Sequence, residues 1–154
     1  MSLGLYLHIP YCFSKCRYCD FYSHPGERGV PEAYVDALLR ELSRFAPEAP
    51  LQPDTLYFGG GTPSLLRPEQ AKRLIDAARP MPGAEITLEA NPETVTEESL
   101  AGFREAGVNR ISFGVQSARD TQLRTLGRPH TAKQARAAFA AAQRAGFTNI
   151  SGDI

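Results

Sequence analysis

Short apolar runs separated by polar and glycine-rich segments mark the strands of this sequence. The first run contains Leu5, Leu7 and Ile9 and ends at Pro10, which favours a strand. Later runs, such as TLYF and EITL, are similarly short and also contain β-branched or aromatic residues. The predicted strands are 5–9, 54–61, 85–93, 110–117 and 147–154.

Between these runs, apolar residues recur at helical spacing. The first such stripe is Tyr34, Leu38, Leu42 and Phe45. Prolines suited to a first helical turn, a glycine stop at Gly107 and a capping box of Thr131 with Gln134 mark helix ends. The predicted helices are 31–45, 67–79, 96–106 and 132–145.

Strands that alternate with helices through short connections favour a parallel sheet with right-handed crossovers. The fold class is therefore α/β. Two architectures fit this alternation, an open doubly wound sheet and a (β/α) barrel. Both place ligands at the carboxyl ends of the strands.

Each apolar run finishes in polar or small residues at that end. Any one of them could be a solvated turn residue, but five sets on successive parallel strands outline one face of a site. They are the cysteines after the first strand, Gly59 to Thr62 after the second, Glu89, Gln116 and Asp153.

Charge and length narrow the function. Among 154 residues, 17 lysines and arginines balance 17 aspartates and glutamates, which disfavours non-specific nucleic-acid binding. The apolar N-terminus is short and lacks a basic region, so we expect neither a signal peptide nor a membrane span, and a cytoplasmic protein. Because a full barrel needs roughly 250 residues, we expect residues 1–154 to be the N-terminal part of a longer core domain.

The three cysteines are Cys12, Cys16 and Cys19, spaced C-x3-C-x2-C. Cytosolic thiols stay reduced, which favours metal binding over disulfides, and we expect Lys15 and Arg17 to favour the thiolates. Three thiolates can hold three irons of a [4Fe–4S] cluster and leave one iron open. A Cys3His zinc site with His24 or His8, and incidental thiols, are the alternatives.

This spacing, with Tyr18 before the last cysteine, resembles the signature of the radical S-adenosylmethionine (SAM) superfamily. The successive segments LYLHIPYCFSKCRYCDF, LYFGGGTPSLL, EANPETV, RISFGVQS and LGRPH resemble the oxygen-independent coproporphyrinogen III oxidases of porphyrin biosynthesis and their relatives, the haem chaperones. The resemblance covers essentially the whole chain. It implies a partial TIM-type barrel, here its first five strands, with an iron–sulfur cluster that cleaves SAM to a 5′-deoxyadenosyl radical.

The resemblance also implies SAM contacts. Tyr6 would lie beside the cluster-bound SAM, and the backbone near Tyr18 would border its adenine. Glu89 would accept from the ribose or the amino group, and His130 is expected at the surface near the site. The remaining implied contacts are Gly60, Gly61 and Thr62 at the methionine end and, by similarity to a second SAM site in the oxidases, Gln116, Arg128 and Asp153.

Two of these assignments have structural alternatives. The three glycines could form only a tight strand-to-helix turn, and Arg128 could cap a short preceding helix or pair with a surface carboxylate. The sequence leaves both alternatives open.

Two departures favour the chaperone branch. Phe21 stands where the oxidases carry a further cysteine, and the oxidases have an extension before the first strand. The resemblance then implies haem as cargo, a reducing electron donor and a haem-receiving protein. The alternatives are the oxidase, acting on coproporphyrinogen III, and a zinc-stabilised binding module.

Overall fold

The computed structural model of the protein describes residues 2–45 and 51–154. Five parallel strands form one sheet in the order β1-β4-β5-β6-β7, and β2 and β3 form a separate short parallel pair. The strands are β1 (Gly4–Ile9), β2 (Tyr11–Cys12), β3 (His24–Pro25), β4 (Thr55–Gly60), β5 (Glu85–Ala90), β6 (Arg110–Gly114) and β7 (Asn149–Asp153). The five predicted strands are confirmed, whereas the β2–β3 pair was not predicted.

The four predicted helices are also confirmed, and a short fifth one follows β6. Gly107 ends the third helix with φ of 115°, and Thr131 and Gln134 form the capping box of the last. The helices are α1 (Glu32–Phe45), α2 (Pro68–Ala78), α3 (Glu97–Ala106), α4 (Asp120–Leu126) and α5 (Ala132–Arg144). Short 3-10 turns, Pro63–Leu65 and Pro92–Thr94, follow β4 and β5.

The strand order decides between the two architectures. Each of the five strands pairs with the next one along the chain, so right-handed crossovers place the connecting helices on the same face of the sheet. Helix α1 accordingly packs on α2, α2 on α3, and α3 on α5. A doubly wound sheet would reverse direction at a switch point. The fold is a partial barrel of the (β/α) type.

The hydrophobic core lies between this sheet and its helices. Phe58, Leu88 and Phe113 are fully buried on the sheet side, and Leu74 and Phe103 meet them from the helices. In α1, Leu42 of the predicted stripe is buried together with Val35, whereas Phe45 ends the helix and is 75% exposed.

The opposite face of the sheet is polar. Arg110 on β6 donates to Thr87 Oγ1 at 3.2 Å and to Ser151 Oγ at 3.0 Å, so one guanidinium bridges three neighbouring strands. Tyr6 and Tyr57 lie in the same cross-strand row, because Tyr6 pairs with Tyr57 and Tyr57 with Thr87. Alternating side chains thus separate an apolar, helix-covered face from a polar one.

Within the described ranges, none of the helices combines the length and apolar character that crossing a bilayer requires.

Candidate functional site

A cavity of about 250 Å³ lies at the carboxyl edge of the sheet. Residues that end or follow each of the five strands line it, because the carboxyl ends of parallel strands meet at one edge. Eleven of the twelve predicted site residues line this cavity. They are Cys12, Cys16, Tyr18, Cys19, Gly60, Gly61, Thr62, Glu89, Gln116, Arg128 and Asp153.

The twelfth predicted residue, Tyr6, lies below the cavity on the polar sheet face. Its ring stacks on Tyr57 at 5.9 Å between centroids and covers Gly59, where a Cβ would stand 2.7 Å from the ring. Tyr6 is 52% exposed. In this structure it therefore supports the glycine segment rather than lining the cavity.

One hydrogen bond joins the two ends of the cysteine loop, and another holds its middle against the end of α4. Glu27 N donates to Cys12 O at 3.1 Å, and Arg17 N donates to Leu126 O at 3.1 Å. Cys12 is buried, and Cys16 and Cys19 are half-buried. Among the described residues, no group of three His, Cys, Asp or Glu side chains is gathered as a single-ion site. The thiolates of a [4Fe–4S] cluster bind different irons, so they surround the cluster rather than one atom.

The electrostatics of Cys16 differ from the expectation. Burial raises the pKa of the Cys16 thiol, and the main opposing influence is the positive charge of Arg128. The prediction that Lys15 and Arg17 supply this effect was wrong for Cys16. Lys15 and Arg17 are exposed, and the aliphatic part of Arg17 packs near Gly127. A cation from a distant loop therefore faces the thiol.

The glycine segment at the end of β4 is shaped by close contacts. Gly60 has φ of +114°, and a Cβ at Gly61 would stand 2.7 Å from Tyr11 O and 2.9 Å from Cys12 Sγ. Both positions therefore require glycine. The backbone here does more than turn the chain, because Gly61 lies directly against a cysteine sulfur.

Glu89 holds this segment from the neighbouring strand. One carboxylate oxygen accepts from Tyr57 Oη at 2.8 Å and the other accepts from Gly60 N at 3.2 Å. Burial and then the hydrogen bond to Glu89 raise the pKa of Tyr57, so the phenol stays protonated and donates. Glu89 thus lines the cavity, and the hydrogen bonds from Tyr57 and Gly60 fix the orientation of its carboxylate.

A chain of hydrogen bonds holds the Arg128 side chain in the cavity wall. Its Nη1 donates to Asn91 Oδ1 at 3.0 Å, and Asn91 Nδ2 donates to Thr62 Oγ1 at 3.1 Å. The guanidinium also lies 5.9 Å from the centre of the Tyr18 ring. The side chain therefore contacts Asn91 and Tyr18. Among the described residues it neither caps the preceding helix nor pairs with a surface carboxylate.

Asn91 is a cavity residue that the sequence reasoning missed. It directly follows β5 and lines the cavity, and it joins Thr62 to Arg128. The same rule that selected Glu89, a polar residue at a strand end, would have found it. Ser23 also lines the cavity and was missed, but its position depends on the unpredicted β2–β3 pair.

The loop after β6 carries Gln116 in a strained conformation. Gln116 has φ of +65°, and its N–H donates to Asp153 O at 2.7 Å, which ties the ends of β6 and β7 together. His130 supports this loop from below. Its Nε2 lies 3.0 Å from Val115 O and its Nδ1 lies 3.1 Å from Glu93 Oε2.

The expectation that His130 lies at the surface was wrong, since the residue is only 2% exposed. The ring fills the space between the loops that follow β5 and β6, where both nitrogens find partners. Sequence position beside Pro129 gave no indication of this burial.

The two other histidines lie outside the cavity. His8 is in contact with Tyr22 O at 3.1 Å through Nε2, and His24 lies between the rings of Tyr11 and Tyr22. Within the described residues, the cavity therefore contains no histidine that could complete the Cys3His zinc site of the alternative.

The donor set of the cavity fits a cluster with a polar ligand. Three thiols face it, and two buried polar atoms, Ser23 Oγ and Arg128 Nε, have no hydrogen-bond partner in the described part of the chain. Buried polar groups in proteins are nearly always paired. Unpaired ones beside three thiols are consistent with a site whose partners come from bound groups.

Comparisons with known proteins agree with this geometry. The sequence matches the radical SAM superfamily over residues 6–154. It is 42% identical to the haem chaperone HemW of Escherichia coli, over 99% of this chain and 42% of that protein, and 40% identical to HemW of Bacillus subtilis, over 97% and 41%. The chain thus spans about two fifths of the length of these curated relatives.

Among solved structures, the coproporphyrinogen III oxidase HemN of Escherichia coli, described as a radical SAM enzyme, superposes with a TM-score of 0.87 at 31% identity. The match covers 99% of this chain and 36% of that one. The hydrogenase maturase HydG, at 15% identity and a TM-score of 0.69, shares the fold. The chain therefore belongs to the radical SAM superfamily, in the branch that contains the haem chaperones and the oxygen-independent coproporphyrinogen III oxidase.

Proposed function

We propose that this chain is the SAM-binding core of a haem chaperone. The observation that carries the proposal is the cavity at the carboxyl edge of the sheet, where three thiols share a wall with the glycine segment and Arg128. Sequence identity of about 40% to haem chaperones over nearly the whole chain supports haem as the cargo.

Cys12, Cys16 and Cys19 would hold a [4Fe–4S] cluster, with one iron left for SAM. When bound, these cofactors supply reductive cleavage of the SAM sulfonium. The protein's share is placement. Gly60 and Gly61 leave room for a ligand against the backbone, and the Gly60 N–H is already directed by Glu89. The methionine end would lie here, next to Thr62.

Arg128 and its neighbours would bind the rest of the ligand. The unpaired Nε of Arg128 offers a donor to a carboxylate or hydroxyl oxygen, while Nη1 stays fixed on Asn91. Tyr18, 47% exposed beside this guanidinium, offers a ring face to adenine. Gln116 and Asp153 complete the wall at β6 and β7. Tyr6 would act on SAM only through Gly59.

The wider biology is part of the same proposal. A cytoplasmic protein of this kind would need a reducing electron donor, and a haem-receiving protein would take the cargo. Phe21 supports the chaperone assignment, because this side chain lines the cavity where the oxidases have a further cysteine.

The test combines cluster analysis with haem binding in the full-length protein. After anaerobic reconstitution we expect about four irons with matching sulfide per chain, and an EPR spectrum of the reduced sample that changes with SAM. A Cys16→Ala variant should lose the cluster, and haem should bind to the intact protein. A Cys16→Ala variant with full iron content would refute the three-cysteine site, and absence of haem binding would refute the chaperone role.

The oxidase is the second candidate, supported by the superposition on HemN. It would remove a hydrogen atom from each of two propionate side chains of coproporphyrinogen III, so that each loses carbon dioxide, gives one electron to an acceptor and becomes a vinyl group. Anaerobic incubation of the reconstituted protein with SAM, a reductant and this substrate separates the two functions. Formation of the divinyl product would replace the chaperone proposal with the oxidase one.

A further inference from the structure

Ser23 carries a hydroxyl group that is shielded from solvent and lacks a hydrogen-bond partner among the described residues. It lines the same cavity as the three cysteines. Leaving a buried hydroxyl unpaired is destabilising, and buried polar groups are nearly always paired. Such a group is best explained by a partner that arrives with a bound cofactor.

The short β2–β3 pair sets the direction of this side chain. Cys12 pairs with Pro25 across the ladder, and His24 N donates to Pro10 O at 2.6 Å. Side chains two residues apart on an extended segment share a face, so Ser23 lies on the face of Pro25. Pro25 is the cross-strand partner of Cys12, which brings Ser23 to the side of the Cys12 sulfur.

None of the other polar side chains of the cavity is paired with this hydroxyl among the described residues. Both oxygens of Glu89 already accept hydrogen bonds, from Tyr57 and Gly60. Asp153 lies on β7, at the opposite edge of the sheet from β1. Lys15 and Arg128 are donors only. Ser23 and the three cysteines line the same cavity, so a sulfide of a cluster held there is the acceptor that matches the position of Ser23.

We infer that Ser23 donates a hydrogen bond to a sulfide of the cluster that the cysteines would hold. The inference rests on the proposed [4Fe–4S] cluster and adds a role for a residue outside the cysteine motif. Hydrogen bonds to cluster sulfurs are among the factors that set reduction potentials. Because such a bond stabilises the more negative, reduced cluster, it raises the potential and eases electron uptake.

The test measures the reduction potential of the reconstituted full-length protein without SAM, by EPR-monitored redox titration. Ser23→Ala should move the potential to a more negative value, and Ser23→Thr, which keeps the hydroxyl, should stay close to the wild type. Ser43→Ala is the control, because Ser43 is an exposed serine on α1 and does not line the cavity. Its potential should not change.

Iron and sulfide analysis separates failure of the inference from failure of the proposed function. If the wild type itself assembles no cluster, the proposed function fails, and this inference with it. If Ser23→Ala has full iron and the wild-type potential, only the inference is refuted. An unchanged potential with weakened SAM binding would assign the hydroxyl to SAM instead.

A second comparison serves if Ser23→Ala assembles the cluster poorly. Ser23→Val and Ser23→Thr have the same shape and differ in the hydroxyl. We expect the valine variant to have the more negative potential of the two. In wild-type protein, the iron–sulfur stretching bands in resonance Raman spectra should shift between H₂O and D₂O more than in Ser23→Val. Equal potentials and equal shifts would overturn the inference.

Discussion

At the scale of single residues, the cavity depends on side chains that are absent or fixed in advance. Gly61 leaves the space beside Cys12 free, and Asn91 holds both Thr62 and Arg128. Neither residue offers a reactive group. Their contribution is to fix where the reactive groups stand before a ligand binds, which reduces the cost of ordering them on binding.

Gly61→Ala should damage the cysteine site. The added methyl group would stand 2.7 Å from Tyr11 O and 2.9 Å from Cys12 Sγ, and a backbone oxygen cannot rotate away. We expect destabilisation of about 1–3 kcal/mol and reduced iron content after reconstitution. Gly29→Ala is the control, because the nearest atom to its Cβ, Leu65 O, is 4.0 Å away. Wild-type iron content in Gly61→Ala would show that the close contact has no role.

Asn91→Ala should weaken SAM binding without removing the cluster. The substitution deletes both hydrogen bonds that join Thr62 to Arg128, so the guanidinium is no longer directed. We expect the dissociation constant for SAM to rise about tenfold, corresponding to the loss of roughly 1.4 kcal/mol. Asn91→Asp keeps the acceptor for Arg128 and should lose less affinity. Calorimetric titration of reconstituted protein with SAM provides the measurement. Equal affinity for SAM in all three proteins would contradict a role for the hydrogen bonds of Asn91.

At the scale of elements, the sequence predicted what depends on local periodicity. The five strands and four helices follow from apolar spacing, prolines and glycines, and the capping box at Thr131 is present in the structure. Features that depend on distant pairing were not predictable. The β2–β3 ladder, the burial of His130 and the approach of Arg128 to Cys16 each join segments far apart in the chain. Phe45 kept the helical period, yet its position at the helix end leaves it exposed.

The contact between α1 and α2 depends on pH through Glu32. Its carboxylate accepts from Gln70 Nε2 at 2.9 Å, from Arg73 Nη1 at 2.8 Å and from Arg67 Nη2. The hydrogen bond from Gln70, followed by those from Arg67 and Arg73, lowers the pKa of Glu32. A carboxyl with a lowered pKa in the folded state contributes stability above its unfolded pKa, and this contribution is lost as the pH falls through the folded value.

Glu32→Gln should therefore lower the Tm slightly at pH 7. The difference from wild type should shrink as the pH falls below about 4, where the unfolded carboxyl already takes up its proton. Glu69→Gln is the control, since Glu69 only approaches Arg67 Nε at 4.0 Å. Thermal unfolding followed by circular dichroism, at pH values from about 3 to about 7, gives the Tm of each variant as a function of pH. A Tm difference for Glu32→Gln that is constant across this series would rule out the carboxylate as its source.

At the scale of the whole molecule, the hydrophobic core and the cysteine loop are built from different parts of the chain. The buried core is formed by the sheet and the helices, and residues 12–27 contribute none of its members. Cys12 is buried beside the cavity rather than in that core. This separation lets the cysteine loop vary in its contents while the sheet edge that supports it stays the same, as expected where loops on a barrel carry the chemistry.

The separation predicts the result of removing the cluster. Small metal-stapled domains unfold without their metal, because binding free energy is their folding free energy. Here the core is complete without the thiols, so chelation of iron under anaerobic conditions should leave far-UV circular dichroism nearly unchanged. Hydrogen exchange should rise mainly in residues 10–27 and in the glycine segment that contacts Cys12. Exchange that rises equally in β5, β6 and α3 would mean that the cluster holds the whole fold together. The hydrophobic core would then not be independent of the cysteine loop.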